Sequence, residues 1–224
     1  MALMLRTILG FAFLFLMMAA ALFLPAGSTR FWQAWIYLAV FSGCSILITV
    51  YLAIRDKELL AGRVYAGPAA ESRPSQRIIQ GLASLLFIAI LVVPGLDFHF
   101  SWSHVPAALS LVADLVAVLC FLVIFLTFRE NRFSRGTIAV SAGQKVIATG
   151  PYVVVRHPLY AGALLLLLVT PIALGSWVGL ALFVPFIAVI VVRIRDEEAL
   201  LRAKLDGYVA YRAKVRYRVM PFVW

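Results

Sequence analysis

Charge, cysteine and histidine are scarce in this chain. Only 13% of its 224 residues are charged, and it has two cysteines and three histidines. Cys44 and Cys120 both fall inside apolar runs, so a disulfide framework has no purpose, metal-ligand spacing is absent, and free buried thiols are expected. Also missing are an internal repeat, a low-complexity run and a soluble domain. The charges lean to one sign, with 20 Lys and Arg against 10 Asp and Glu, for a formal net charge of +10. That excess can serve nucleic-acid binding, but the basic residues stand between apolar runs rather than on one soluble face. No nucleic-acid partner is expected; the cations read as topology signals and contacts to membrane lipids.

What is present is apolar: 64% of the residues are hydrophobic. The expected class is an all-α integral membrane protein. Stretches of about 20 mainly apolar residues fall at 7–26, 31–54, 78–96, 105–128, 159–174 and 177–194. Only Gly175 and Ser176 separate the last two, which predicts a C-terminal helical hairpin and five to six transmembrane helices in all. The first run follows Arg6 and resembles a secretory signal, but it is long for one and PAGS at 25–28 is a poor cleavage site. It is read as a retained helix.

Orientation follows from the basic residues. Five Lys or Arg lie in 55–77, five in 129–156 and eight from Arg193 onward, whereas the opposite side holds Arg30. This predicts cytoplasmic termini and large loops. The connection 55–77, rich in Gly, Pro and Ser, is expected to be irregular and to carry no chemistry, with one amphipathic turn at DKELL. His99, His104 and Trp102 are expected as interface residues in a short outer loop. Asp114, inside the fourth span, is either functional, or lies near the outer end of the helix, or hydrogen-bonds to Ser110 or a neighbouring helix.

The richest stretch is GPYVVVRHPLYAG at 150–162, directly ahead of an apolar run. Pro158 biases His157 towards extended backbone and suits the first turn of a helix. The amides and dipole of that helix then face Arg156 and His157, a place to hold an anionic group. Read alone, Arg156 serves equally as a basic anchor snorkelling to headgroups. Before this stretch, Arg129, Arg132 and Arg135 with Glu130 and Asn131 give the fourth span a polar end, and 141–143 reads as a turn. Downstream comes RIRDEEALL, in which Arg193 and Glu197 share one helical face and can pair, with Glu198 about 100° away.

The first string, RIRDEEALL, Tyr208, Tyr211 and Pro221 together resemble the isoprenylcysteine carboxyl methyltransferase family and its bacterial relatives. These are integral membrane enzymes that use S-adenosylmethionine. The resemblance is sharp over 143–224 and general, in hydropathy and helix order, before that. It implies four N-terminal spans over 1–128 and a catalytic region over 129–224, closed from the cytoplasm by an amphipathic C-terminal helix. It further implies cofactor contacts at Val146, Gly150, Tyr152, Arg156, His157, Tyr160, Glu197 and Glu198, and no metal. Arg193 would orient a carboxylate acceptor in its fork, with Glu197 orienting Arg193. The chain has LDGYVAY where many relatives have a slightly longer link with Phe-Gly. Arg212, Lys214, Arg216 and Arg218 are expected to meet headgroups.

The expected reaction is methyl transfer to a lipophilic or lipidated acceptor arriving from the bilayer, most simply an isoprenylcysteine-like carboxylate, at the cytoplasmic face of a bacterial inner membrane. Methylation of a phospholipid amine is the first alternative, with Glu197 as partner or base. A sterol-reductase-type membrane enzyme generally has more spans than this length allows. A non-enzymatic transporter component predicts polar residues spread through several helices.

Overall fold

The computed structural model describes residues 1–141 and 143–224. The turn expected at 141–143 includes residue 142, which lies outside the described residues. All regular structure among the described residues is helical: α1 (Ala2–Ala26), α2 (Trp32–Arg55), α3 (Lys57–Val64), α4 (Pro74–Phe100), α5 (Ala107–Glu130), α6 (Pro158–Ala173), α7 (Phe183–Lys204) and α8 (Tyr208–Lys214). Short 3₁₀ turns occupy Pro68–Ala70, Gly150–Val153 and Val178–Leu182.

Five helices are long and apolar enough to cross a membrane: α1, α2, α4, α5, and the 3₁₀ turn plus α7 over Val178–Lys204. α6, at 16 residues, rises about 24 Å and falls short of a hydrocarbon core of about 30 Å. Five full-length helices and one short one therefore form from the six apolar runs, in keeping with the five to six expected. α4 is longer than its apolar run because Pro74 starts it at the first helical position and it continues to Phe100. His99 consequently sits on this helix rather than in a loop, its Nδ1 3.3 Å from the Ala26 carbonyl oxygen.

Small residues set the helix spacing. α6 packs chiefly on α5, and α1 on α4. A Cβ on Gly162 would come within 3.0 Å of Ile124 Cγ1 and 3.2 Å of the Cys120 carbonyl oxygen. On Gly95 it would come within 2.6 Å of the Leu22 carbonyl oxygen. Such close backbone approach holds helices together where hydrocarbon surroundings supply no hydrophobic drive. Between them lies a core that includes Met18, Leu22, Tyr37, Ile90, Leu91, Ala117, Leu174 and Ile194.

The hairpin turn is fixed at the end of the bundle remote from α3. Gly175 takes φ +76°, and Ser176 and Ser103 donate their hydroxyls to the buried Asp97 carboxylate, each at 2.5 Å. Trp35, Trp102 and Trp177 are exposed around this end, as an interfacial aromatic belt would be. Cys120 is buried and Cys44 half-buried; both are free. Asp114 is 4% exposed, and neither of its oxygens has a hydrogen-bond partner among the described residues. Ser110 donates to the Ile172 carbonyl instead, so the alternative of a Ser110–Asp114 hydrogen bond does not hold.

Candidate functional site

At the opposite end, the last turns of α7, the first turn of α6, side chains between Asn131 and Ala139 and between Gln144 and Tyr152, and the tail from 205 onward surround a polar cleft of about 110 Å³. Val146, Tyr152, Arg156, His157, Tyr160, Arg193 and Glu197 line it, joined by Leu205, Tyr208 and Tyr211. Gly150 and Glu198 do not. Gly150 instead lets the chain turn back onto the end of α5: its φ is +55°, a Cβ there would lie 3.1 Å from the Glu130 carboxyl carbon, and the Thr149 hydroxyl bonds that carboxylate.

Glu198 stands behind the cleft, 2% exposed, as the post to which the tail is tied. Arg156 donates to its Oε1 from Nε at 2.8 Å and from Nη2 at 2.7 Å, and Arg218 donates to Oε2 at 3.1 Å. His157 Nε2 lies 3.4 Å from Oε1. Arg156 also donates from Nη1 to the carbonyls of Val215 and Arg216, and the amides of Arg156 and His157 donate to the carbonyls of Tyr217 and Arg218. Arg156 is thus a buried tie between motif and tail rather than a headgroup anchor. The expectation that Arg218 meets headgroups is likewise corrected: its guanidinium faces Glu198 and stacks on Trp224 at 4.9 Å.

The aromatic side of the cleft is fastened to the same tail. The Tyr152 hydroxyl accepts from Asn131 at 2.8 Å, and the Tyr152 carbonyl accepts from the Tyr211 hydroxyl at 2.8 Å. Burial pushes the Tyr152 phenol up to about 12, the Asn131 hydrogen bond working against it. Burial also raises the phenols of Tyr208 and Tyr211. The Tyr208 hydroxyl, though buried, has no partner among the described residues, so it is a donor left open at the cleft wall.

Arg193 and Glu197 do not pair directly, contrary to the i, i+4 expectation. Tyr160 stands between them: its hydroxyl donates to Glu197 Oε2 at 2.7 Å and accepts from Arg193 Nε at 3.0 Å. The carboxylate partner of Arg193 is Glu71, at 3.1 Å from Nη2, which also donates to the Gly136 carbonyl, while Nη1 donates to Gln76 Oε1 at 2.9 Å. Glu71 is 1% exposed and its second oxygen accepts from the Ile138 amide at 3.2 Å. The connection expected to carry no chemistry therefore supplies the charge that holds Arg193. No local signal marks it, because a glutamate in a Gly- and Pro-rich connection looks solvated. Four of the five guanidinium N–H groups are engaged. Glu197 is the reverse case: its Oε1 takes no hydrogen bond among the described residues.

Beyond Tyr160 and Arg193 lies a second, larger cavity of about 750 Å³, walled mainly by apolar side chains of α1, α2, α5, α6 and α7. Leu159, Tyr160, Arg135 and Arg193 border both spaces. No cluster of side chains able to hold a metal occurs among the described residues.

No curated protein matches the chain. Residues 106–205, from the start of α5 through the end of α7, match the family model of the phospholipid methyltransferases. Over the stretch that carries Arg156, Tyr160, Arg193 and Glu197, the chain is similar to a family of membrane methyltransferases.

Proposed function

We propose that the chain is an S-adenosylmethionine-dependent membrane methyltransferase, with the cofactor in the polar cleft and a lipophilic acceptor reaching it from the apolar cavity. One observation carries this reading: a polar cleft and an apolar cavity meet at a wall made of Tyr160 and Arg193. The similarity over 106–205 supports the same reaction class. When bound, the cofactor supplies a methyl group on a sulfonium, open to in-line displacement. The donor set fits such a group. The free Oε1 of Glu197 receives N–H or O–H donors, the unpartnered Tyr208 hydroxyl donates, and Tyr152 and Tyr211 offer aromatic faces to a cation or base. Gly150 and Glu198 act at one remove, by shaping the loop and holding Arg156.

The cleft is smaller than the roughly 300–1,000 Å³ of ordinary ligand sites. In this reading α8 and its flanks swing outward to admit the cofactor and close again. Closure excludes water, and alignment of donor and acceptor supplies most of the rate advantage in such a displacement.

The nature of the acceptor turns on Arg193. With its donors held by Tyr160, Gln76, Glu71 and Gly136, no two-pronged fork is free for a carboxylate. An amine acceptor needs no such fork and fits better: its unprotonated nitrogen lone pair attacks the methyl carbon as the methyl–sulfur bond breaks and S-adenosylhomocysteine leaves. An isoprenylcysteine-like carboxylate is the second reading, favoured by the one N–H left on Arg193. The excess of cations near the cleft end supports a cytoplasmic site.

The test is incubation of the purified protein with methyl-labelled S-adenosylmethionine and a bacterial lipid extract. Label is expected in the organic phase. Alkali-stable label marks an N-methyl, and label released as methanol marks a methyl ester. No transfer to any lipid, with folded protein, sinks the proposal.

A further inference from the structure

The 750 Å³ cavity is apolar over most of its wall, yet four arginines line it and no carboxylate does: Arg6, Arg63, Arg135 and Arg193. Two of these are neutralised, Arg135 by Glu58 at 2.7 Å and Arg193 by Glu71 at 3.1 Å. Arg6 and Arg63 have no ion-pair partner among the described residues. Each stacks on an aromatic ring, Arg6 over Tyr65 and Arg63 over Phe128, both at 4.9 Å. Stacking uses the face of a guanidinium and leaves its in-plane donors open. Of those on Arg63, Nη1 donates to the Arg135 carbonyl at 3.3 Å, and the rest are uncommitted among the described residues. Tyr65 lies two residues beyond Arg63, and Arg6, Arg63 and Tyr65 all line this cavity.

Three further facts agree. Burial depresses the pKa of Arg63, with Tyr160 working against the fall and Arg193 adding to it. Arg135 Nε, a donor, and Gln80 Oε1, an acceptor, are buried without hydrogen-bond partners among the described residues, and both residues border this cavity. Buried polar groups are seldom left unpaired. An inorganic anion would answer the arginines and leave the apolar walls empty; a neutral lipid would fill the walls and leave the arginines unanswered.

We infer that this cavity holds one membrane amphiphile by its anionic headgroup, with Arg6 and Arg63 clamping the anion and the apolar walls enclosing the start of its chain. Insofar as the inference rests on the methyltransferase reading, the amphiphile is the acceptor, and the clamp selects acceptors that carry an anion separate from the attacking atom. The anion sits on the cavity side of Arg193, and the nucleophile projects past Tyr160 towards Glu197.

The probe is dodecyl phosphate, added below its micellar concentration to the purified full chain in a neutral glycoside detergent, with retention read by native mass spectrometry. Dodecyl phosphate is retained and dodecyl glucoside is not. Arg6→Gln or Arg63→Gln weakens retention about tenfold, while Lys214→Gln on the exposed tail leaves it unchanged. Arg63→Lys, which keeps the charge but not the fork, falls between. Because Arg6 is exposed, Arg6→Gln remains informative even if Arg63→Gln does not fold. Three results overturn the inference: equal retention of the neutral glucoside, an equal loss in Lys214→Gln (surface attraction alone), or displacement by inorganic phosphate at equal concentration (a free-anion site). Binding of S-adenosylhomocysteine is measured in parallel. Its loss with phosphate-amphiphile binding intact fails the methyltransferase reading alone, and the converse fails the clamp alone.

Discussion

Removing the carboxylate of Glu198 should release the tail. The side chains of Glu198 and Arg156 are 2% and 3% exposed, and two hydrogen bonds of 2.7 and 2.8 Å join them. In Glu198→Ala the Arg156 guanidinium stays buried and keeps only the Val215 and Arg216 carbonyls, while Arg218 loses its partner. Breaking one side of a buried pair costs about 3–5 kcal/mol. Arg218 adds little, because it is 25% exposed and partly screened. The cost falls on the tail, since Glu198 rides on α7 and Arg156 on the segment leading into α6, both anchored in the bundle. Local opening of 205–218 should therefore become more populated by a factor on the order of 10²–10⁴. Trypsin cleavage after Lys204, Arg212 and Lys214 reads that population when opening is fast relative to cutting. Glu198→Gln, which keeps the shape but not the charge, should produce a smaller rise. An unchanged cleavage rate in Glu198→Ala, with helicity intact, refutes the assignment of Glu198 as the tether.

Glu71→Ala leaves Arg193 buried without its carboxylate and should cost about 3–5 kcal/mol, read as lower thermal stability in detergent. Glu71→Ala and Arg193→Ala should then be strongly non-additive in a double-mutant cycle, and additive effects contradict the pairing. Gly162→Val should destabilise by about 1–3 kcal/mol, because its Cβ meets Ile124 and the Cys120 carbonyl. A neutral effect means that α5 and α6 are not in such close contact. Tyr152 should ionise near pH 12, visible as the phenolate absorbance that wild type shows and Tyr152→Phe lacks. Since the unfolded phenol ionises near about 10, its contribution to stability is present below that pH and is lost as pH rises towards 12.

How much of this was legible in the sequence depended on the range of each interaction. Spans are legible because each needs about 20 contiguous apolar residues, and Gly, Pro and Arg mark their ends. The run at 159–174 leaves the count open between five and six, and it is decided where α6 ends at Ala173, before Leu174 and Gly175 turn the chain. Arg156, His157 and Tyr160 declare themselves as a cluster because they crowd the start of one helix. Partners are a different matter. The i, i+4 rule pairs Arg193 with Glu197, but Tyr160 from another helix inserts between them, and the carboxylate that neutralises Arg193 comes from 122 residues away. Arg218 looked like a headgroup ligand because nothing local shows that the tail folds back onto α7. Long-range charge pairing is decided by packing, which a string of residues does not display.

The most direct test of the account is calorimetric titration of S-adenosylhomocysteine into the purified protein, alongside Glu197→Ala and Tyr208→Phe. The predicted result is binding by wild type, accompanied by protection of 205–218 from trypsin and strongly weakened in both variants. Folded wild-type protein that takes up no S-adenosylhomocysteine contradicts the central claim.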